Sequence, residues 1–276
     1  MLKIDKARVA GMNICYQKFP VEYFLDSMVE MGVQSIEFWG GYPHQFTLDT
    51  SYPPLKDIKK LICDRGLNLI CYTPEQIIYP FNIADPDPTI RELSVEHFRR
   101  CVYAAAELGA PKMLMTCGHG YENEEYEECW KRSRESLRNI AEYAEKMGVV
   151  LALENLQRVE TNLIWRLDQL KRMIDELSSP AVKAIVDTVP LHLEGKTTKD
   201  YIETFGEDLI HVHIVDGTPT GHMAWGDGDL DLDTDIQYLV DMDYKGTMSF
   251  EICTCDQFNP NPSMAQSFSR IEKYLK

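Results

Sequence analysis

The sequence has no apolar run of about 18 residues, which excludes a membrane-spanning helix on the hydropathy pattern. Positive charge is scarce: 28 Lys and Arg stand against 44 Asp and Glu, a formal net charge of −16. Such a field repels phosphate polymers, so nucleic acid is excluded as a partner, and most of the excess carboxylates are expected on a solvated surface. The eight cysteines include no C-x-x-C pair and no dense spacing. They read as reduced thiols, which fits a cytoplasmic protein. The opening residues Met1 to Lys6 are charged and lead into no apolar h-region, so no secretory signal is expected. No linker or low-complexity segment interrupts the chain, and residues 1–276 are expected to form a single domain.

What is present is a recurring pattern of short apolar runs that end in a chemically active residue. Val149 to Leu153 ends in Glu154, and Val182 to Val186 ends in Asp187. Ile210 to Val215 contains His211 and His213, and Thr247 to Phe250 ends in Glu251. Runs of four to six apolar residues bounded by Gly or polar residues suit strands covered on both faces, as in parallel sheets. Glu154, Asp187, His213 and Glu251 are separated by 33, 26 and 38 residues. Each interval is about one strand-helix unit. With earlier strands at Arg8–Met12, Ser35–Phe38, Leu67–Tyr72 and Lys112–Thr116, and helical periodicity between them, the count is eight strands and eight helices. The expected fold is a (β/α)8 TIM barrel, whose parallel strands bring all their C-terminal ends to one rim.

Three carboxylates and one imidazole on that rim make a borderline-hard donor set. It suits one divalent cation, Mn²⁺ first, with Co²⁺, Zn²⁺, Mg²⁺ or Ni²⁺ as alternatives. His211 and His213 lie two apart and face the same way, into the barrel. His213 is nearer the rim and is the expected ligand; His211 is expected to support it from behind. Two loops are rich in ring-bearing residues: Trp39-Gly40-Gly41-Tyr42-Pro43-His44 after the second strand, and Tyr72-Thr73-Pro74-Glu75 after the third. The first loop suits the face of a sugar, which nominates Trp39 and His44 as substrate contacts. His119, flanked by Gly118 and Gly120 after the fourth strand, is nominated for the same reason. The long connection from Gln76 to Pro88 is a candidate lid. Asp227 and Asp229 stand in the loop where other barrels hold phosphate, and they argue against a sugar phosphate.

The segments Glu37 to His44, Tyr72 to Glu75, Tyr79 to Asn82 and His211 to Asp216, together with the four-ligand spacing, resemble the xylose isomerase-like TIM-barrel superfamily. Within it the whole length is similar to the metal-dependent ketose 3-epimerases, in particular the bacterial fructoselysine 3-epimerases. The resemblance implies a small-molecule sugar substrate, one cation held by Glu154, Asp187, His213 and Glu251, and proton exchange at C3 by Glu154 and Glu251 through a metal-bound cis-enediolate. It also implies substrate contact by Glu160, six residues after Glu154, and by Tyr72 and Glu75; a homo-oligomer is compatible with it, and the sequence leaves the oligomeric state open. Epimerases of free ketoses carry a histidine three residues after the metal aspartate and an arginine six after the metal histidine. Here those places hold Pro190 and Pro219, which leaves His192 or His222 to substitute and fits a ketose substituted at C1, such as fructoselysine. Aldose–ketose isomerisation and β-elimination by a C-glycoside-cleaving subunit are rival activities for the same ligand set. A non-catalytic sugar-binding module is the rival from outside enzymology.

Overall fold

The computed structural model describes residues 3–48, 50–76 and 80–276. Eight strands form a closed parallel barrel: β1 Val9–Met12, β2 Ser35–Gly40, β3 Asn68–Pro74, β4 Lys112–Met115, β5 Val150–Glu154, β6 Val182–Asp187, β7 Leu209–His213 and β8 Thr247–Phe250. Each strand pairs with its neighbour in sequence, and β8 closes onto β1 through Val9 opposite Met248. All pairs are parallel because a helical crossover separates consecutive strands. The sequence-based fold class is therefore met.

Around the barrel run α1 Val21–Glu30, α2 Leu55–Asp64, α3 Pro88–Leu108, α4 Tyr126–Met147, α5 Leu167–Leu177, α6 Thr188–Leu193, α7 Thr198–Phe205, α8 Leu232–Asp241 and α9 Asn261–Ile271. The helices turn apolar stripes to the barrel: Val21, Phe24 and Met28 are buried on α1, and Trp130, Leu137, Ile140, Ala141 and Ala144 on α4. Gly109 and Gly148, at φ 87° and 71°, end the two longest helices in the left-handed conformation that glycine adopts without a Cβ penalty. Two features lie outside the expected eight-and-eight pattern. One is a short hairpin of Phe46–Thr47 with Ser51–Tyr52. The other is α6, which begins at the residue after β6 because the Asp187 carboxylate caps it, accepting from the Val189 N–H at 2.6 Å.

Strand alternation sorts side chains between the barrel interior and the helix layer. Leu114, Ala152 and Ile185, with Ile210 against them, form an apolar plug inside the barrel. On β5, Ala152 and Glu154 share the inward face, so the carboxylate sits directly above the plug. In register, Asp187 lies opposite His213 and Ser249 opposite His213 on its other side, which puts the polar layer at one height.

Candidate metal centre

Glu154, Asp187, His213 and Glu251 come from the ends of β5, β6, β7 and β8, and one donor atom from each lies within 4.8 Å of the others. His213 Nδ1 is 2.9 Å from Glu251 Oε2, 3.3 Å from Glu154 Oε1 and 4.0 Å from Asp187 Oδ2. Among the described residues, Glu154 Oε1, Asp187 Oδ2 and His213 Nδ1 are buried without a hydrogen-bond partner. Buried polar atoms are almost always satisfied, and three orphans aimed at one point suit a cation that would engage all of them. Burial pushes the Glu154 carboxyl up to about 7, with Glu251 and Asp187 adding to it and the His213 imidazole opposing. Burial alone would disfavour a charged His213, but the surrounding carboxylates of Glu251, Glu37 and Glu154 hold it well above the usual imidazole range. Without a cation, then, protons are the only positive charge this cluster can gather.

Beneath the cluster lies a carboxylate that the strand-end pattern does not reveal. Glu37, mid-strand on β2 and fully buried, takes donors from four residues. His211 Nε2 reaches Glu37 Oε2 at 2.9 Å, His213 Nε2 lies 3.2 Å from both oxygens, and the hydroxyls of Thr73 and Ser249 each donate to it. Burial opposes its charge, but the two imidazoles outweigh that and hold its pKa well below the ordinary value. His211 is pushed down to about 4, chiefly by burial and against the pull of Glu37. It is therefore neutral. The signal in the sequence was a lone acid inside the apolar run Ile36-Glu37-Phe38, which strand ends do not explain.

His222 is the other residue whose place emerges only in three dimensions. The β7–α8 loop folds over Asp216, whose carboxylate accepts from the N–H groups of Gly217, Gly226 and Leu230. The His222 carbonyl accepts from the N–H groups of Cys253 and Thr254 just past β8. This carries the imidazole to 3.3 Å from Asp187 Oδ2 and 3.9 Å from Glu251 Oε2. Glu160 stands in the same field: burial raises its pKa, with Asp187 and Glu251 adding and His222 opposing. The Glu160 carboxylate also accepts from the Gln157 N–H at 2.8 Å. His192, the alternative to His222, lies elsewhere and pairs with Asp235 at 2.6 Å.

The remaining nominated residues divide. Trp39 and Glu75 line one cavity of about 370 Å³ together with Phe46, Leu48 and His97. His44 is buried, and both its ring nitrogens are engaged: Asn13 Nδ2 donates to Nδ1 at 2.8 Å, and Nε2 donates to the Phe19 carbonyl at 3.0 Å. It braces the loop and presents no polar atom to a ligand. Tyr72 is likewise buried on the outer face of β3, its hydroxyl donating to Gln45 at 2.8 Å. Thr73, one residue on, faces inward instead. The His119 side chain is exposed; its backbone is clamped by Asn82, which donates to the carbonyl at 2.9 Å and accepts from the N–H at 3.1 Å. Asn82 and Phe81, which stacks on His97 at 4.2 Å, anchor the candidate lid, while residues 77–79 lie outside the described residues. The acidic run after β4 is partly neutralised by ion pairs of Glu122 with Arg158, Glu124 with Arg132 and Glu127 with Arg172.

The family model described as xylose isomerase-like TIM barrel matches residues 25–274. The chain is 29% identical to a fructoselysine 3-epimerase from Shigella flexneri over 268 residues, 96% of this chain and 97% of that one. It is 26% identical to a ketose 3-epimerase from Arthrobacter globiformis, covering 84% of this chain and 77% of the relative. Among solved structures, an L-ribulose 3-epimerase superposes with a TM-score of 0.82 at 22% identity, over 96% of this chain and 93% of that one. A 3-keto-D-glucoside 4-epimerase from E. coli gives the same score at 20% identity, over 96% and 99%. At these identities the two structures speak to the fold alone, and no described helix is long and apolar enough to cross a membrane. The match along nearly the whole length makes this chain a member of the xylose isomerase-like TIM barrel family.

Proposed function

We propose that the protein is a divalent-metal-dependent sugar 3-epimerase acting on a ketose or ketosamine of the fructoselysine type. The observation that carries the proposal is the convergence of three carboxylates and one imidazole with three buried, unpartnered donor atoms. Glu154, Asp187, His213 and Glu251 would hold the cation, and an O₃N donor set of this kind suits Mn²⁺. When bound, the cation supplies Lewis acidity that makes a hydrogen beside a ketone acidic enough to remove at neutral pH.

Inversion at C3 needs a proton taken from one face and returned to the other. The ligand strands run in the order β5, β6, β7, β8, so Glu154 and Glu251 occupy the two ends of the arc, with Asp187 and His213 between them. A substrate seated over the arc has one glutamate on each side. Glu154 and Glu251 are thus assigned the proton exchange. Glu160 and His222, beside Asp187 and Glu251, are assigned to hold the sugar hydroxyls, with Trp39 and Glu75 bordering the rest of the substrate.

The nearly full-length similarity to fructoselysine 3-epimerase supports a C1-substituted ketose. Pro190, at the start of α6, and Pro219, in the β7–α8 loop, offer no side-chain donor to the O1 end of an unsubstituted sugar. The kcat/KM values for fructoselysine, fructose and fructose 6-phosphate test this reading. Fructoselysine is expected to lead, and a preference for either of the others refutes the substrate assignment.

A further inference from the structure

The polar residues beneath the cluster form one continuous chain whose hydrogen positions can be deduced. Lys112, buried at the start of β4, points its ammonium at the Ile210 carbonyl (3.1 Å) and at Thr247 Oγ1 (2.5 Å). An ammonium only donates, so the Thr247 oxygen accepts from it, and the same hydroxyl lies 2.6 Å from His211 Nδ1. Glu37 Oε2, an acceptor 2.9 Å from His211 Nε2, places a ring hydrogen on that nitrogen and leaves Nδ1 to face the Thr247 hydroxyl. An ionised carboxylate only accepts. The hydroxyls of Thr73 and Ser249 and the Nε2–H of His213 therefore all point at Glu37. With its Nε2–H held by Glu37, His213 aims Nδ1 at Glu154, Asp187 and Glu251, where a cation would take the place of the second ring proton.

We propose that Glu37 is a positioning residue for the metal, and that its contact with Nε2 fixes which nitrogen of His213 is the ligand. The proposal rests on the metal reading of the cluster. Glu37, an acceptor for both imidazoles, sets the direction of the two links it makes. A histidine whose free nitrogen could lie at either ring position would spend part of its time with an N–H facing the cation. Glu37 removes that alternative and also stops the ring from rotating. Outer partners of this kind typically govern metal affinity 10- to 100-fold.

The test uses two measurements. In the Zn²⁺-loaded full-length protein with ¹⁵N-labelled histidine, long-range ¹H–¹⁵N correlations should show hydrogen on Nε2 of both His211 and His213, with Nδ1 of His213 shifted by the metal. Hydrogen on Nδ1 of His211 overturns the proposal, and this reading needs no variant. In calorimetric titrations of chelator-stripped protein with Mn²⁺, Glu37→Gln should bind about 10- to 100-fold more weakly than the unmodified chain. The amide offers one acceptor atom where the carboxylate offers two, and its NH₂ confronts a donor. The stripped variant should melt below the stripped parent because a buried donor then faces the amide NH₂, and the titrations are read at a temperature where both are folded. Binding of Mn²⁺ by Glu37→Gln within twofold of the parent overturns the proposal. If Glu37→Gln fails to fold, Glu37→Asp, which withdraws the carboxylate by one methylene, serves in its place, and Mn²⁺ binding within twofold of the parent is again the refuting result. Absence of Mn²⁺ binding by the unmodified protein refutes the metal reading itself, which separates the two failures.

Discussion

Asp187→Asn separates the structural and metal-binding duties of one residue. In the folded chain Asp187 Oδ1 caps α6 through the Val189 N–H, while Oδ2 faces the cluster without a hydrogen-bond partner. Asparagine caps a helix about as well as aspartate, so the cap survives and the stripped variant should melt close to the stripped parent. The metal-dependent increment should not survive. At a free Mn²⁺ concentration of about a thousand times Kd, binding stabilises the parent by about 4 kcal/mol. For a chain of 276 residues that corresponds to a rise of about 8 °C in Tm. Loss of a charged ligand should weaken binding by more than the 10- to 100-fold of an outer partner. At the same Mn²⁺ concentration the variant then sits at about ten times its own Kd or below, leaving about 1.4 kcal/mol and about 3 °C. Differential scanning calorimetry with and without Mn²⁺ reads both numbers. An Asp187→Asn variant that gains the full parental increment refutes the ligand assignment. One that melts far below the parent when both are stripped refutes the capping argument.

Glu251→Gln should lower kcat about 10²- to 10⁴-fold, the usual worth of a general acid or base, as followed by steady-state kinetics; activity within tenfold of the parent removes it from proton exchange. Tyr72→Phe leaves the buried Gln45 carbonyl oxygen without its donor, so it should cost about 1–2 kcal/mol in urea unfolding while kcat/KM stays within about twofold. A large kinetic effect would return Tyr72 to the substrate. Burial favours a neutral Glu176, but the Trp130 N–H and the guanidinium groups of Arg134 and Arg172 outweigh it and hold the pKa at about 2. A depressed carboxylate contributes its stability above the unfolded value of about 4.3 and loses it as pH falls toward 2. Glu176→Gln should therefore cost about 2 kcal/mol at pH 7, allowing for partial exposure, and the gap to the parent should shrink below pH 4. A gap independent of pH between 7 and 3 contradicts the assignment.

The barrel and the four-residue cluster were legible because their signals are local. A parallel strand buried on both faces is a continuous apolar run, so the polar residue that ends it stands out at Glu154, Asp187, His213 and Glu251. Glu37 stayed hidden because its partners come from β3, β7 and β8, and nothing in its own neighbourhood shows four donors meeting it. Tyr72 was misassigned by one step of strand parity: the β3 residue that shares the inward face with Cys71 is Thr73, whose hydroxyl meets Glu37. His44 sits in an aromatic loop whose composition suggests ligand contact, but Asn13 and Phe19, distant in sequence, consume both its nitrogens. Charge counting also hides how the acidic stretch after β4 is partly neutralised. Its pairing with Arg158 and Arg172 joins loops and helices 36 and 45 residues apart, a relation that charge counting does not contain. His222 was legible only as an alternative, since the fold of its loop depends on Asp216 gathering three N–H groups.

The central claim is proton exchange at C3 between two glutamates. Its most direct test is to incubate the Mn²⁺-loaded protein with fructoselysine in D₂O and locate the deuterium by NMR. The account predicts label at C3, in both the recovered substrate and its C3 epimer, and none at C1. Label at C1 in place of C3, or formation of the epimer with no solvent deuterium at C3, would contradict it.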